Sequence, residues 1–404
     1  MTRVLFLVES FHPVLGGGEG HIRMLATRLA DTGMPCTVLT RRGSREWPRE
    51  EILDGVRVVR VPPSGPGKAG KYAMVPGVVA GLARLRRAYD VIVVRGGRIL
   101  GLPALTAGRI LGKGVVLQSE VTGEMSGEIY TWGTGLDRWP VRALVRWSVA
   151  LRNLLLRRAD AFVAVSSRIL DEHRAAGIPV DRIAWIPHGV DTERYRPAEP
   201  EERRALRARL GLPEAARIVI FTGRLLRGKG VDVLIDAFAQ VSGHDALAHL
   251  LVVGSGEGQA LSVENEIRSR VRTAGLDGRI TFTGRVDNVD DHLRAADVFA
   301  FPSFFEALPL SVIEAASCGL ACVATPVGGI VDVLDDGRSG IFVATGDIPG
   351  LAAALAGLLA DPERRKTLGA AAREAVERRF DFSASVERYR ALFSDVAARR
   401  PPAL

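Results

Sequence analysis

Short continuous apolar runs alternate with amphipathic stretches along almost the whole chain. In the first half the runs lie at residues 4–8, 37–40, 56–61, 91–94, 115–118, 161–165 and 183–186, with helical periods between most of them, the first from about 19 to 31. A short run that is apolar on both faces predicts a strand buried on both sides. Such strands separated by helices predict a parallel sheet covered by helices above and below. The second half repeats the scheme, with runs at 218–221, 250–253, 280–282, 298–301, 321–324 and 341–343 and helical periods near 231–241, 261–273, 309–317 and 349–360. The pattern therefore predicts an α/β protein of two doubly wound Rossmann-like domains facing each other across a cleft.

The boundary is legible. Ile186-Pro187-His188-Gly189-Val190-Asp191 reads as a turn, and a proline-bearing linker and a charged helix at 201–210 follow it. This sets the expected domains at 1–188 and 189–382. A last helix at 383–397 carries an apolar face of Val386, Tyr389, Leu392, Phe393 and Val396 and is expected to return to the first domain.

Composition narrows the function classes. The chain has 404 residues, 47% of them hydrophobic and 25% charged, which excludes a disordered or fibrous chain. Its net charge of +8 is compatible with nucleic acid, an anionic membrane or anionic small substrates. Aromatics at 6%, with no basic tail and no zinc-finger spacing, argue against nucleic acid. The three cysteines, Cys36, Cys318 and Cys322, are too few and too scattered for a disulfide framework and point to a reducing cytoplasm. No run is long enough for a transmembrane helix, and residues 1–8 read as a first strand rather than a secretion leader.

Four constellations carry candidate chemistry. Gly223-Arg224 and Gly228-Lys229-Gly230 place two cations on a glycine-rich strand-to-helix loop, a pattern suited to clamping a diphosphate; Lys229 is one of only five lysines. Without the Lys-Ser/Thr of a P-loop, nucleotide hydrolysis is not expected. Glu306 and Glu314 interrupt apolar sequence, where an ionised carboxylate is costly unless it accepts hydrogen bonds, and sugar or ribose hydroxyls are suitable donors. Gly254-Ser255-Gly256-Glu257-Gly258 reads equally as a turn or as a ligand loop. Gly16-Gly17-Gly18-Glu19 opens a helix after the first strand and reads as an anion-binding turn or as a plain tight turn. No D-x-D occurs, so no metal and no cofactor is expected.

These residues together resemble the retaining glycosyltransferases of family 4, which have the GT-B fold. The resemblance is carried by Glu306 and Glu314 in an E-x7-E pattern, by the segments 315–320 and 323–330, by Gly223-Arg224 and Gly228-Lys229-Gly230, and by the turn at 186–191. It implies transfer of a sugar from a nucleoside-diphosphate sugar to an acceptor hydroxyl. Arg224 and Lys229 would hold the diphosphate, Glu306 would touch the transferred sugar, and Glu314 the ribose. Catalytic roles fall to Glu306, Arg224 and Lys229. Donor contacts fall to Gly17, Gly18, Gly223, Ala307, Leu308, Leu310 and Glu314 as well. The family often carries a cleft His after the fourth or fifth strand. Here that region reads Gln118-Ser119-Glu120-Val121-Thr122-Gly123-Glu124, and Glu120 and Glu124 stand as acceptor-side candidates. A nucleotide-sugar epimerase of the same fold, or a non-catalytic subunit that binds sugar nucleotides, remains the alternative.

Finally, Arg138, Arg142 and Arg146 recur every four residues, with Trp132, Trp139 and Trp147 nearby. Such a stripe is usually a solvated helix face, yet it also suits an anionic lipid surface. The expected location is the cytoplasm, with peripheral contact at the inner membrane face as the second expectation.

Overall fold

A computed structural model describes residues 1–14, 16–65, 70–131, 141–259 and 261–399, with the side chains of 129, 131, 141 and 142 outside the description. The chain divides into two compact units, one of Met1–Pro187 with Ala384–Leu404 and one of His188–Ser383.

The first unit is built on β1 (Val4–Leu7), β2 (Cys36–Arg41), β3 (Glu50–Leu53), β4 (Val56–Val61), β5 (Val91–Arg95), β6 (Gly114–Gln118), β7 (Ala161–Ala164) and β8 (Ile183–Trp185). They form one sheet in the order β3-β4-β2-β1-β5-β6-β7-β8, parallel except for β3. The central strands β1 and β5 are wholly buried, which is why they read as uninterrupted apolar runs. The pattern did not predict β3. Its Glu50-Glu51-Ile52-Leu53 run alternates between exposed and half-buried at the sheet edge, where only one neighbour demands apolar side chains.

The second unit contains β9 (Arg217–Thr222), β10 (Ala248–Val253), β11 (Ile280–Gly284), β12 (Val298–Phe301), β13 (Ala321–Ala324) and β14 (Ile341–Phe342). All pairings are parallel, in the order β11-β10-β9-β12-β13-β14. The order reverses beside β9, so the loops after β9 and β12 flank the switch point where such sheets bind ligands.

The last helix, Phe382–Ala398, packs in the first unit, as its apolar face demanded. Phe393 meets Phe6 edge-on with centroids 6.1 Å apart, and the Tyr389 hydroxyl donates to Gln118 Oε1 at 3.3 Å. The cysteines are buried and unpaired, and among the described residues no group of His, Cys, Asp and Glu could hold a metal ion.

Candidate active site

In the second unit the loop from Gly223 to Gly230 joins β9 to the helix Val231–His244. Its conformation requires glycine at Gly230, where φ is +69° and a Cβ would come within 1.9 Å of the Pro302 carbonyl oxygen. That close approach lays the loop against the segment after β12. Phe304 N donates to the Gly228 carbonyl at 2.8 Å, and Ser303 Oγ lies 3.2 Å from the same carbonyl. Lys229 thereby reaches Glu306, with Nζ 2.5 Å from Oε1, while Ser303 Oγ donates to the same oxygen at 2.7 Å. The ammonium also lies 5.7 Å from the centre of the Phe301 ring. Arg224 is exposed, and among the described residues no carboxylate forms an ion pair with its guanidinium. The two cations of the loop differ accordingly: Lys229 is half-buried and committed to Glu306, whereas Arg224 stands in solvent.

Glu306 is buried and backed by a second position that only glycine fits. Gly328 has φ +57°, and a Cβ there would lie 2.0 Å from the Glu306 carbonyl oxygen. Gly329 N donates to the Ala307 carbonyl at 2.6 Å. Leu308 is buried, and Leu310 opens the helix Leu310–Ser317, whose N-cap Pro309 offers no capping side chain. The first amides of that helix carry partial positive charge without an intrahelical acceptor.

Glu314 lies within the same helix and is half-buried. Burial pushes its carboxyl up to about 7; a hydrogen bond from Tyr195 and the charge of Arg194 act in the opposite direction. Sequence reasoning missed both partners, since Arg194 and Tyr195 sit in the linker, where an Arg-Tyr pair carries no pattern. They are held there by structure. The Tyr195 carbonyl accepts from Ser317 Oγ and from Arg373 Nη1, each at 2.6 Å, and Arg194 pairs with Asp290 at 2.7 Å.

The loop Gly254–Gly258 is tied to the helix that follows it. Its Ser255 hydroxyl and Gly256 amide both donate to Glu264 Oε2, at 2.7 and 2.8 Å.

In the first unit Gly17 and Gly18 open the helix Gly17–Asp31 behind an N-cap Gly16 that supplies no side-chain oxygen. Arg95, buried at the end of β5, donates to the Gly18 carbonyl and pairs with Glu120. Burial lowers its guanidinium to about 10. A charged residue ending an otherwise apolar strand was the signal available for Arg95. These groups line a cavity of about 140 Å³, shared with Glu124, Arg98 and a Lys71–Glu9 pair at 2.7 Å. Glu124 is 1% exposed, its Oε2 has no hydrogen-bond partner among the described residues, and burial raises its carboxyl to about 7.

The loop bearing Glu124 is clamped from two sides. Glu172 accepts from the amides of Gly123, Met125 and Ser126 at 3.0, 2.5 and 2.8 Å. Arg152 Nη2 donates to the Glu124 carbonyl at 2.6 Å, and Asn153 Nδ2 to the Met125 carbonyl at 2.8 Å. The histidine that reaches this segment is His173, whose Nε2 lies 2.9 Å from Ser119 Oγ, with both residues buried. It does not line the cavity.

The two units match two family models. Residues 15–194 match Glycosyltransferase Family 4, and residues 216–361 match Glycosyl transferases group 1. A D-inositol 3-phosphate glycosyltransferase of Catenulispora acidiphila is 30% identical over 386 residues, covering 92% of this chain and 88% of the relative. A GDP-mannose-dependent alpha-(1-6)-phosphatidylinositol monomannoside mannosyltransferase of Mycobacterium tuberculosis is 29% identical over 398 residues, covering 93% and 94%. Among solved structures, the sucrose-phosphate synthase of Thermosynechococcus elongatus superposes with a TM-score of 0.82 at 24% identity, covering 99% of this chain and 100% of that one. The Anabaena protein HepE, solved with UDP and glucose, gives 0.77 at 21% identity, covering 98% and 100%. At those identities the structures speak for the fold alone. With the fold, both family models and a near full-length relative in agreement, the chain belongs to family 4 of the glycosyltransferases and is a glycosyltransferase with the GT-B fold.

Proposed function

We propose that this glycosyltransferase moves a sugar from a nucleoside-diphosphate sugar to an acceptor hydroxyl with retention of anomeric configuration and without a metal ion. The reading rests on the Lys229–Glu306 pair, set beside Arg224, which pairs with no carboxylate among the described residues, on a glycine loop at a sheet switch point. The leaving diphosphate gains charge as the glycosidic bond breaks. Arg224, Lys229 and the free amides at the start of Leu310–Ser317 would stabilise that charge without reorganising, the usual source of the largest catalytic term. Glu306, carrying Lys229 on one oxygen, would orient the transferred sugar through its hydroxyls, and Glu314 the ribose. No side chain is assigned as nucleophile. In a front-face attack the departing phosphate oxygen takes the acceptor proton. Labelled nucleotide sugars, incubated with chelator and a polyol acceptor panel, test this. An α-linked product from an α-linked donor, formed undiminished in chelator, is expected. Inversion, or activity lost to chelator and restored by a divalent ion, refutes the mechanism; an epimerised donor without transfer refutes the reaction.

Glu314 gives the donor site a pH signature. Its carboxyl ionises near 7, well above the value of about 4.3 in an unfolded chain. Folding therefore favours the protonated form, and this group's contribution to stability is lost as pH rises from the unfolded value through 7. Ribose hydroxyls donate better to the carboxylate, so binding of intact nucleotide sugar pulls the proton off. Affinity should rise by up to roughly tenfold from pH 6 to pH 7.5 and level off above. Calorimetry in buffers of different ionisation enthalpy should show proton release below pH 7, and Glu314→Gln should abolish both effects. A flat profile in the unsubstituted protein removes Glu314 from the ribose.

For the acceptor, the names of the relatives point to D-inositol 3-phosphate and to a phosphatidylinositol mannoside, both phosphate-bearing polyols. The first-unit cavity offers matching chemistry: Glu124 Oε2 for hydroxyls, with Arg98 and Lys71 for an anion. Glu124→Gln keeps the shape and should raise the acceptor KM about tenfold with donor binding unchanged, since hydrogen bonds to a charged group are worth about 1.5–3 kcal/mol. An unaltered acceptor KM would exclude Glu124 from the acceptor site.

A further inference from the structure

Glu124 occupies a costly place. It lines the polar cavity of the first unit, Gly97 donates its amide to the carboxyl, and Oε2 has no hydrogen-bond partner among the described residues. An unsatisfied polar atom is expensive to bury, and a free loop would relieve the cost by swinging the carboxyl into water. This loop is not free. A single helix, Ser167–Ala175, grips residues 119–126 at both ends. At the far end the Glu172 carboxylate collects three amides, Oε1 from Met125 and Ser126 and Oε2 from Gly123. At the near end His173 Nε2 lies 2.9 Å from Ser119 Oγ. Glu172 and His173 are successive residues, so one turn of helix fixes both ends of the segment that carries Glu120 and Glu124.

The gripping helix has a firm base. Ser166 caps its N-terminus by accepting from the Ile169 amide. Ile169 and His173, four residues apart and so on one face, are both fully buried. The His173 ring meets Phe162 of β7 edge-on, with centroids 5.6 Å apart. From the other side the helix Val141–Leu156 closes on the loop through Arg152 and Asn153. That helix turns Asn153 inward and leaves Leu144 and Trp147 exposed, which differs from the arginine stripe that the sequence suggested. Trp132, Arg138 and Trp139 lie outside the described residues, as does the side chain of Arg142.

We propose that Glu172 and His173 are positioning residues for the acceptor, holding Ser119–Ser126 in the conformation that presents Glu124 to the cavity. Neither residue lines the cavity; each acts through the loop. An acceptor then meets a wall that is already ordered, and its binding does not include the entropy of fixing the loop. The role rests on the acceptor reading of Glu124 given above; the grip on the loop does not.

The test combines hydrogen exchange of the full chain with transfer kinetics, using D-inositol 3-phosphate first and then the other polyols of the acceptor panel. Glu172→Ala removes all three acceptors. Exchange at Gly123, Met125 and Ser126 should quicken at least about tenfold, and the acceptor KM should rise about tenfold, with donor KM and kcat at saturating acceptor unchanged. Glu172→Gln should fall between, because its amide oxygen still accepts from Met125 and Ser126 while its NH2 group meets the Gly123 amide. Ser119→Ala and His173→Leu break one bond from its two ends. Each should raise the acceptor KM by the same factor and the double variant no further, and His173→Gln, whose amide can reach Ser119, should restore it. Exchange in Glu172→Ala that matches the unsubstituted protein overturns the grip, whatever Glu124 does. An acceptor KM unaltered in Glu172→Ala but raised in Glu124→Gln overturns the positioning role and leaves the acceptor reading standing. An acceptor KM unaltered in both ends that reading and this role together. A loss of kcat that affects donor and acceptor alike marks a general structural role and overturns the proposal as well.

Discussion

Lys229→Ala should lower kcat/KM by roughly ten- to hundredfold, the loss expected for a charge-assisted contact of about 1.5–3 kcal/mol to the leaving diphosphate. Arg224→Ala should fall in the same range, but the two variants should differ in a second measurement. Arg224 is exposed and has no acidic partner among the described residues, so its removal disturbs only ligand binding, and the thermal midpoint should not move. Lys229 neutralises the buried Glu306 at 2.5 Å. Its removal takes the ammonium from that carboxylate, and breaking one side of a buried ion pair is costly. Lys229→Ala should therefore also lower the midpoint. Steady-state kinetics and a melting curve of each variant decide the matter. Wild-type kcat/KM in both would refute the clamp, and equal midpoints would refute the asymmetry drawn between the two cations.

Glu306→Gln should reduce kcat by at least about tenfold while leaving the affinity for free nucleoside diphosphate nearly unchanged. The reason is local. The amide keeps the shape and can still accept from Ser303, which donates to Oε1 at 2.7 Å. It removes the charge that orients the sugar, a contact that matters only once the sugar moiety is present. Glu314→Gln should show the opposite signature, with weaker nucleotide binding. If the two variants exchange these signatures, the assignment of sugar to Glu306 and ribose to Glu314 is reversed. Gly328 sharpens the test. Alanine there would press on the Glu306 backbone, so Gly328→Ala should reproduce the kcat loss with the carboxylate intact.

Much of this could be read before any coordinates. Strand positions in both halves were set by runs apolar on both faces, because only a sheet covered on two sides buries such segments, as β9 and β10 do. The donor residues were legible because Gly223 to Gly230 and Glu306 to Glu314 are local constellations: the chemistry sits within a few residues of one strand end. The family resemblance followed from the same local patterns. The edge strand β3 escaped, since an edge imposes no apolar demand, and so did Tyr195, Arg194 and Arg95, whose roles depend on residues distant in sequence.

What only the tertiary structure decided is the pairing and burial of charge. Lys229 and Glu306 are far apart in the chain, and their contact exists because Gly230 lets one loop lie on the other. Glu124 stood out in the sequence only as an acceptor-side candidate; it is buried where Glu172, Arg152 and Asn153, from two helices, clamp the backbone around it. The helix Val141–Leu156 carries apolar and basic residues in a pattern that shows two faces but not which one turns inward. Hydrophobic periodicity is a property of one helix, whereas the direction of its apolar face is set by what the rest of the fold places beside it.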